Sequence, residues 1–422
     1  LVLVTIYTSN AGSAEPIGYS ATRRERAVHG HVSERRVGTN NLKNFPRQAR
    51  QAIRLATRAC NSQGMTSQAR QLDATYQAAR SRFIDAAVRM GADLRSFPHP
   101  LAGLEGEELA IDVAQLGDPQ APNVLLLISA THGVEGYAGS ALQSWWLEER
   151  AAQLGAGTRV VIVHGFNPVG FSWVRRVNED NVDLNRNFVD WTAPPANEAY
   201  GEIADLLVPL SWTEETQATS TGALLEFAGK IGLEQFQQVV SGGQYNHPTG
   251  IFYGGSGPVW SHRWLVEQLA DLVAPSTRVG VIDLHTGLGD WGHGELISHE
   301  AVGSPGYDRS AEWWGDVRSM QSGESVSAAL SGDWLGAIDA LLPHVEITCA
   351  ALEYGTVDVI SVLQALRADA WLNAYGDPTG NQAPAIREQV RAAFADDDPA
   401  WLAKITKRFA EVSDAALTAL AR

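Results

Sequence analysis

Four short apolar runs constrain this chain most: 124–128 (Val-Leu-Leu-Leu-Ile), 160–163, 279–282 and 345–352. Each is strand-length and lacks strict polar alternation, as expected of strands buried on both faces. Between them lie stretches with helical period. Leu72, Tyr76, Ala79, Phe83, Ala86 and Met90 recur every three or four residues, and Gly91 then stops the stripe. Residues 140–150, 261–272 and 357–375 read as helices, as does a C-terminal stripe of Leu402, Ile405, Phe409, Val412, Ala416 and Leu420. Buried strands alternating with helices predict an α/β fold with a mixed, mostly parallel sheet covered on both faces. Ligands in such sheets collect beyond the carboxyl ends of the strands.

Composition narrows the function. Residues 1–64 hold 10 Lys and Arg against 3 Asp and Glu, whereas the remainder holds 22 basic and 45 acidic residues. A body this acidic argues against nucleic acid or an anionic membrane as partner. Cys60 and Cys349 are the only cysteines, which excludes a disulfide framework and a Cys-rich zinc site. No apolar run approaches the roughly 18 residues needed to span a bilayer, so the body reads as cytoplasmic. The Arg-rich segment 1–64 has no sustained apolar period. It reads as a disordered extension before Met65, with a signal or transit peptide as the alternatives, which would make the protein secreted or organelle-targeted. Residues 65–422 read as the catalytic domain.

Four motifs sit at or just after predicted strand ends. His132-Gly133-Val134-Glu135 follows the first run, at a strand-to-helix turn able to aim both side chains at one point. His285 follows the run at 279–284. Two nitrogens, one carboxylate and an open position are the ligand set of a catalytic zinc, one per chain. His293, Glu295 and His299 form a rival cluster, better read as a half-exposed strand at a pocket rim. Asp183-Leu184-Asn185-Arg186 is dense in polar groups, and a bidentate Arg beside an Asn amide suits a substrate carboxylate. Arg176 could face an oxygen that becomes negative during attack. Glu353 ends an apolar run, where a carboxylate is costly unless paired or functional. Beside a metal it can take a proton from water.

With the string Arg-Val-Asn-Glu-Asp-Asn-Val-Asp-Leu-Asn-Arg-Asn-Phe at 176–188, the chain resembles the zinc metallocarboxypeptidase superfamily. That clan holds carboxypeptidase A and the succinylglutamate desuccinylase/aspartoacylase deacylases; the nearest branch is a bacterial one known only as a domain of unknown function. The resemblance covers roughly Met65 to the C-terminus. It implies an α/β/α sandwich around a mixed sheet of about eight strands. It implies that His132, Glu135 and His285 hold zinc and that Glu353 is general base and then acid. Arg176 would stabilise the oxyanion, Asn185 and Arg186 would bind the substrate carboxylate, and Asp183 would hydrogen-bond His132. Two departures stand out. Val134 occupies the position where digestive carboxypeptidases carry an Arg. A substrate-capping Tyr is not evident, with Tyr253 favoured over Tyr245 and Tyr354.

Hydrolysis of a C-terminal peptide bond is the leading expectation. An N-acyl amino acid deacylase with the same machinery is the alternative, although the expected C-terminal helices favour the peptidase. A non-catalytic carboxylate-binding relative would need a broken triad or a missing base. The lack of Gly-x-Ser-x-Gly argues against a serine hydrolase. The sequence leaves the oligomeric state open.

Overall fold

In strand β3 every residue from Val124 to Ile128 is fully buried, and the pleat sends alternate side chains to two different cores. Leu125 and Leu127 join one apolar cluster, whereas Val124, Leu126 and Ile128 join a second. The same division runs through neighbouring strands: Val160 and Ile162 against Val161 and Val163, and Ile282 against Val279 and Val281. Two cores on opposite faces of one sheet make a three-layer α/β/α sandwich, as expected. The computed structural model describes residues 71–323 and 325–422, so the expected disorder of 1–64 lies outside the described residues.

The sheet comprises β1 (Asp93–Ala102), β2 (Glu108–Leu116), β3 (Asn123–Ser129), β4 (Thr158–His164), β5 (Arg278–Trp291), β6 (Gly294–Ser298), β7 (Val317–Ser319) and β8 (Glu346–Gly355). Their order is β1-β2-β4-β3-β5-β8-β6-β7. The central four, β4, β3, β5 and β8, run parallel. β2 and β6 are antiparallel to their central neighbours.

The helices are α1 (Tyr76–Arg89), α2 (Gly136–Glu149), α3 (Pro168–Trp173), α4 (Tyr200–Leu207), α5 (Glu214–Ile231) and α6 (Leu233–Ser241). There follow α7 (Trp260–Val273), α8 (Pro305–Trp314), α9 (Trp334–Leu341), α10 (Val359–Ala374), α11 (Ala383–Phe394) and α12 (Pro399–Leu420). Helices α1, α2 and α10 to α12 cover the first core, and α7 and α9 cover the second. Side-chain caps fix several starts: Thr75 accepts from Ala78 N–H, and Asp358 accepts from the Ile360 and Ser361 N–H groups. Among the described residues, no helix is long and apolar enough to cross a membrane.

Departures from the sequence reading have local causes. β1 went unforeseen because Pro98 and Pro100 break its pattern; proline confines it to the sheet edge, where the order puts it. Within 190–212, which Pro194, Pro195 and Pro209 mark as loop-rich in the sequence, residues Tyr200–Leu207 form the eight-residue α4. His285 and Glu353 do not lie beyond their strands. The β5–β8 ladder continues through both, pairing His285 with Glu353 and Gly287 with Gly355.

Gly133 is demanded by close approach of two backbones. A Cβ there would fall 2.0 Å from the Gly170 carbonyl carbon and 2.2 Å from Phe171 N, in α3. Neither can yield as a side chain would. Gly133→Ala is therefore expected to cost about 3 kcal/mol or more, read as a drop in thermal midpoint. An unchanged midpoint would contradict this packing.

Candidate active site

β3 delivers the first two functional side chains. The chain leaves the sheet through Ala130, whose backbone is left-handed (φ 60°), and His132 precedes one turn of 3-10 helix, Gly133–Glu135. That turn brings Glu135 Oε1 to 2.9 Å from His132 Nδ1. From β5, His285 Nδ1 lies 3.0 Å from Glu135 Oε2 and 3.2 Å from His132 Nδ1. All three residues are buried. Among the described residues they are the one group of His, Cys, Asp and Glu whose donor atoms converge, all within 4.8 Å of one another.

Each distal imidazole nitrogen faces an aspartate. His132 Nε2 is 3.2 Å from Asp183 Oδ1, and His285 Nε2 is 2.8 Å from Asp283 Oδ2. Such carboxylates fix ring orientation and leave both Nδ1 atoms turned to a common point. The donor set fits zinc: two imidazoles, one carboxylate, no competing thiol. Asp283 carried no role in the sequence reading. Its signal was available, because Asp-x-His on a strand puts both side chains on one face. Thr131 Oγ and Trp334 Nε1 donate to Asp283 at 2.8 and 2.7 Å, locking it in turn. Asp283→Ala is expected to weaken zinc binding by about 10- to 100-fold, measured by chelator competition. An unaltered affinity would deny Asp283 this part.

Burial alone would raise the Glu135 carboxyl, but His132 and His285 hold it far below the carboxylate range. Burial would lower His285, yet Asp283 and Glu135 push it well above the ordinary imidazole value. Asp183 behaves as Glu135 does: burial is outweighed by the guanidiniums of Arg176 and Arg186 and by His132, which hold it well below its usual value. Glu353 goes the other way. Burial and then the charge of Glu135 raise it to about 7.

Arg176 reaches the group because its segment pairs with the ligand turn. Gly133 N–H and Val134 N–H donate to the carbonyls of Arg176 and Arg175 at 3.0 and 2.8 Å. Its guanidinium donates to Asp183 Oδ2 at 3.0 Å and Glu135 Oε1 at 3.2 Å, with Nη2 2.8 Å from His132 Nε2. Glu353, opposite His285 in the ladder, is half-buried and accepts from Leu288 N–H at 2.9 Å. Asn185 is buried, and its Oδ1 has no hydrogen-bond partner.

Two expected substrate contacts are differently employed. Arg186 is 2 % exposed and donates from Nε and Nη2 to the Ser241 carbonyl, at 3.1 and 2.5 Å, and from Nη1 to its own neighbour's Asn185 carbonyl. It ties down the C-terminus of α6 and does not present an open fork. Tyr253 packs its ring in the second core, and its carbonyl accepts Asp183 N–H at 2.8 Å. Of the other tyrosines, Tyr245 donates to the Arg186 carbonyl and Tyr354 is buried. The rival cluster does not converge: His293 is exposed, Glu295 accepts from Ser325 and Val326 N–H, and His299 lies beside Cys349.

Backbone strain collects here as well. The described non-glycine residues with positive φ are Ala130, Val174, Asn181 and Phe252. The first three each stand two residues before His132, Arg176 and Asp183. Strained conformations persist where surroundings over-determine them, commonly at functional sites.

A family model described as protein of unknown function (DUF2817) matches residues 73–408. The chain belongs to this family. No curated protein matches the chain. Among solved structures, this DUF2817 member is similar to carboxypeptidase A from Helicoverpa armigera, at 14 % identity over 82 % of each chain with a TM-score of 0.39. It is similar to bovine thrombin-activatable fibrinolysis inhibitor, solved with tick carboxypeptidase inhibitor, at 12 % identity over 80 % of this chain and 97 % of that one (TM-score 0.39). An aspartoacylase family protein from Mesorhizobium loti matches at 15 % identity over 69 % of this chain and 68 % of its own (TM-score 0.31). In this DUF2817 chain, the matched span contains every residue of the site described above.

Proposed function

We propose that residues 65–422 form a zinc-dependent hydrolase that cleaves an amide bond next to a substrate carboxylate, a C-terminal peptide bond above all. One observation carries the reading. The Nδ1 atoms of His132 and His285 and the Glu135 carboxylate converge, while Glu353, a spare carboxylate with its value raised to about 7, occupies the adjacent strand at the level of His285.

His132, Glu135 and His285 would hold the zinc, with Asp183 and Asp283 orienting the rings. Zinc would supply a Lewis acid and lower the pKa of water toward neutrality. Glu353, near neutral in its own titration, takes a proton from the attacking water and returns it to the leaving nitrogen. Arg176 is a permanent cation close to the zinc ligands, suited to the developing oxyanion. Asn185 offers a buried oxygen without a hydrogen-bond partner, an acceptor suited to a substrate N–H, and an NH2 group that can donate to an anion. With Arg186 engaged by Ser241, Arg176 is the guanidinium left to meet negative charge on the substrate, carboxylate or oxyanion, and the Asn185 NH2 group can add a donor.

The test is a screen of zinc-loaded protein against blocked dipeptides, the same dipeptides with amidated C-termini, and N-acyl amino acids. Release of the C-terminal amino acid from the free acids, but not the amides, is expected. Turnover of N-acyl amino acids alone would replace the peptidase with the deacylase. Turnover of none would overturn the reading.

A further inference from the structure

Phe252 has no part in the reaction described above, yet it touches both guanidiniums of the site. The carbon centre of Arg176 lies 5.4 Å from its ring centroid, and that of Arg186 lies 5.3 Å away. Its backbone is left-handed (φ 54°), which a bulky residue adopts only under constraint. The constraints are visible on either side. Asn181 Nδ2 donates to the carbonyls of Pro248 and Gly250, and Tyr200 OH donates to Ile251. Gln244 N–H donates to Phe252 itself, and Asp183 N–H to Tyr253. The ring is thus pinned at its backbone, and its own half-buried side chain packs against the first core.

Two like charges share Asp183, whose Oδ2 accepts from Arg176 while Oδ1 lies 3.9 Å from Arg186 Nη1. Asp183 lies closer to Arg176 but within reach of both, so it does not by itself keep them apart. An aromatic face attracts both cations, and its fixed position sets where each can lie. We infer that Phe252 is a positioning residue: its ring holds Arg176 toward His132 and Glu135 while keeping Arg186 on the C-terminus of α6, so that one guanidinium and not two faces the substrate. The inference rests on the carboxylate-binding reading for its consequence, although the positioning itself can be tested without it.

Phe252→Leu and Phe252→Tyr both keep a Cβ at the strained position, so they differ in the ring and not in the backbone cost. Two measurements on the full chain separate the possibilities. The first is the side-chain Nε–H signal of Arg176 in arginine-labelled protein, which reports its bond to Asp183. The second is the affinity for 3-phenylpropanoate and for 3-phenylpropanamide, a pair that differs in the anion and lacks a peptide bond. With Leu, the Arg176 signal is expected to broaden and exchange faster. The acid is expected to bind about 3- to 30-fold more weakly, the range a cation–π contact spans, with the amide unchanged. Tyr restores both.

An Arg176 signal unaltered in Phe252→Leu overturns the inference, whatever the ligands do. Equal loss for acid and amide, with Tyr no better than Leu, reduces Phe252 to core filler and overturns it too. A wild-type protein that fails to prefer the acid would instead sink the carboxylate-binding reading, and the Arg176 signal then decides the positioning alone.

Discussion

Glu353→Gln is expected to lower kcat of the zinc-loaded protein by about 10³-fold, within the 10²- to 10⁴-fold range of general acid–base catalysis, while zinc content and KM change little. Glutamine keeps the shape and still accepts from Leu288 N–H, so the hydrogen bond that fixes the side chain survives. What it loses is the capacity to carry a proton. The same substitution has a second signature in metal-free protein. Burial and Glu135 raise the Glu353 carboxyl to about 7, above the 4.5 of a free glutamate. A group whose folded value is raised stabilises the fold at low pH and loses that contribution as pH rises through the folded value. Wild type should therefore lose stability between pH 4.5 and pH 7 relative to Glu353→Gln, by about 1–3 kcal/mol. Chemical denaturation of both proteins at pH 5 and pH 8 checks the sign. A variant as active as wild type would remove Glu353 from the reaction. Parallel stability curves would deny its raised value.

A buried carboxyl raised in this way is consistent with the rest of the site, where the sequence rules for local comfort fail together. Val174 and Phe252 hold left-handed backbones that neither residue favours, and Asn185 leaves a buried oxygen bare. Natural chains break such rules mainly where function requires it.

The core strands were legible for a plain physical reason: strands buried on both faces must be continuously apolar, and no solvent-facing alternation obscures them. β1 was not, since Pro98 and Pro100 and its exposed edge erase the signal. The zinc-ligand candidates were legible because His132 and Glu135 share one turn and His285 sits on a recognisable strand. Asp283 was within reach through its spacing to His285. Contacts that depend on loop paths were not. Arg186 and Asn185 are neighbours in sequence, but the Ser241 carbonyl engages one while the other's amide oxygen is left without a partner. Nor does the sequence say which of Phe252 and Tyr253 turns its ring toward the guanidiniums, since adjacent residues in a loop have no fixed face. The buried Arg175–Asp369 pair, 194 residues apart, belongs to the same class of unreadable contact.

His285→Ala should abolish zinc retention, with affinity falling at least about 10³-fold, since one of three protein ligands is lost and zinc affinity in such sites is of order 10 kcal/mol or more. Elemental analysis of wild type should give about one zinc per chain and the variant almost none. Removal also leaves Asp283 and Glu135 as buried carboxylates without their shared cation, an additional cost of about 3–5 kcal/mol. His285→Gln, which keeps a polar side chain, separates ligand loss from unfolding. A third observable needs no substitution. In metal-free protein burial would lower His285, but Asp283 and Glu135 hold it well above its ordinary value and so favour the protonated ring. A raised value stabilises the metal-free fold at low pH and ceases to do so once pH passes it. Zinc needs the neutral Nδ1 and must displace that proton. Binding should then release protons, seen by calorimetry in buffers of different ionisation enthalpy, and affinity should rise with pH. Full zinc content in His285→Gln together with no proton release would remove His285 from the ligand set, and with it the link between the turn after β3 and the neighbouring strand β5 on which the catalytic reading depends.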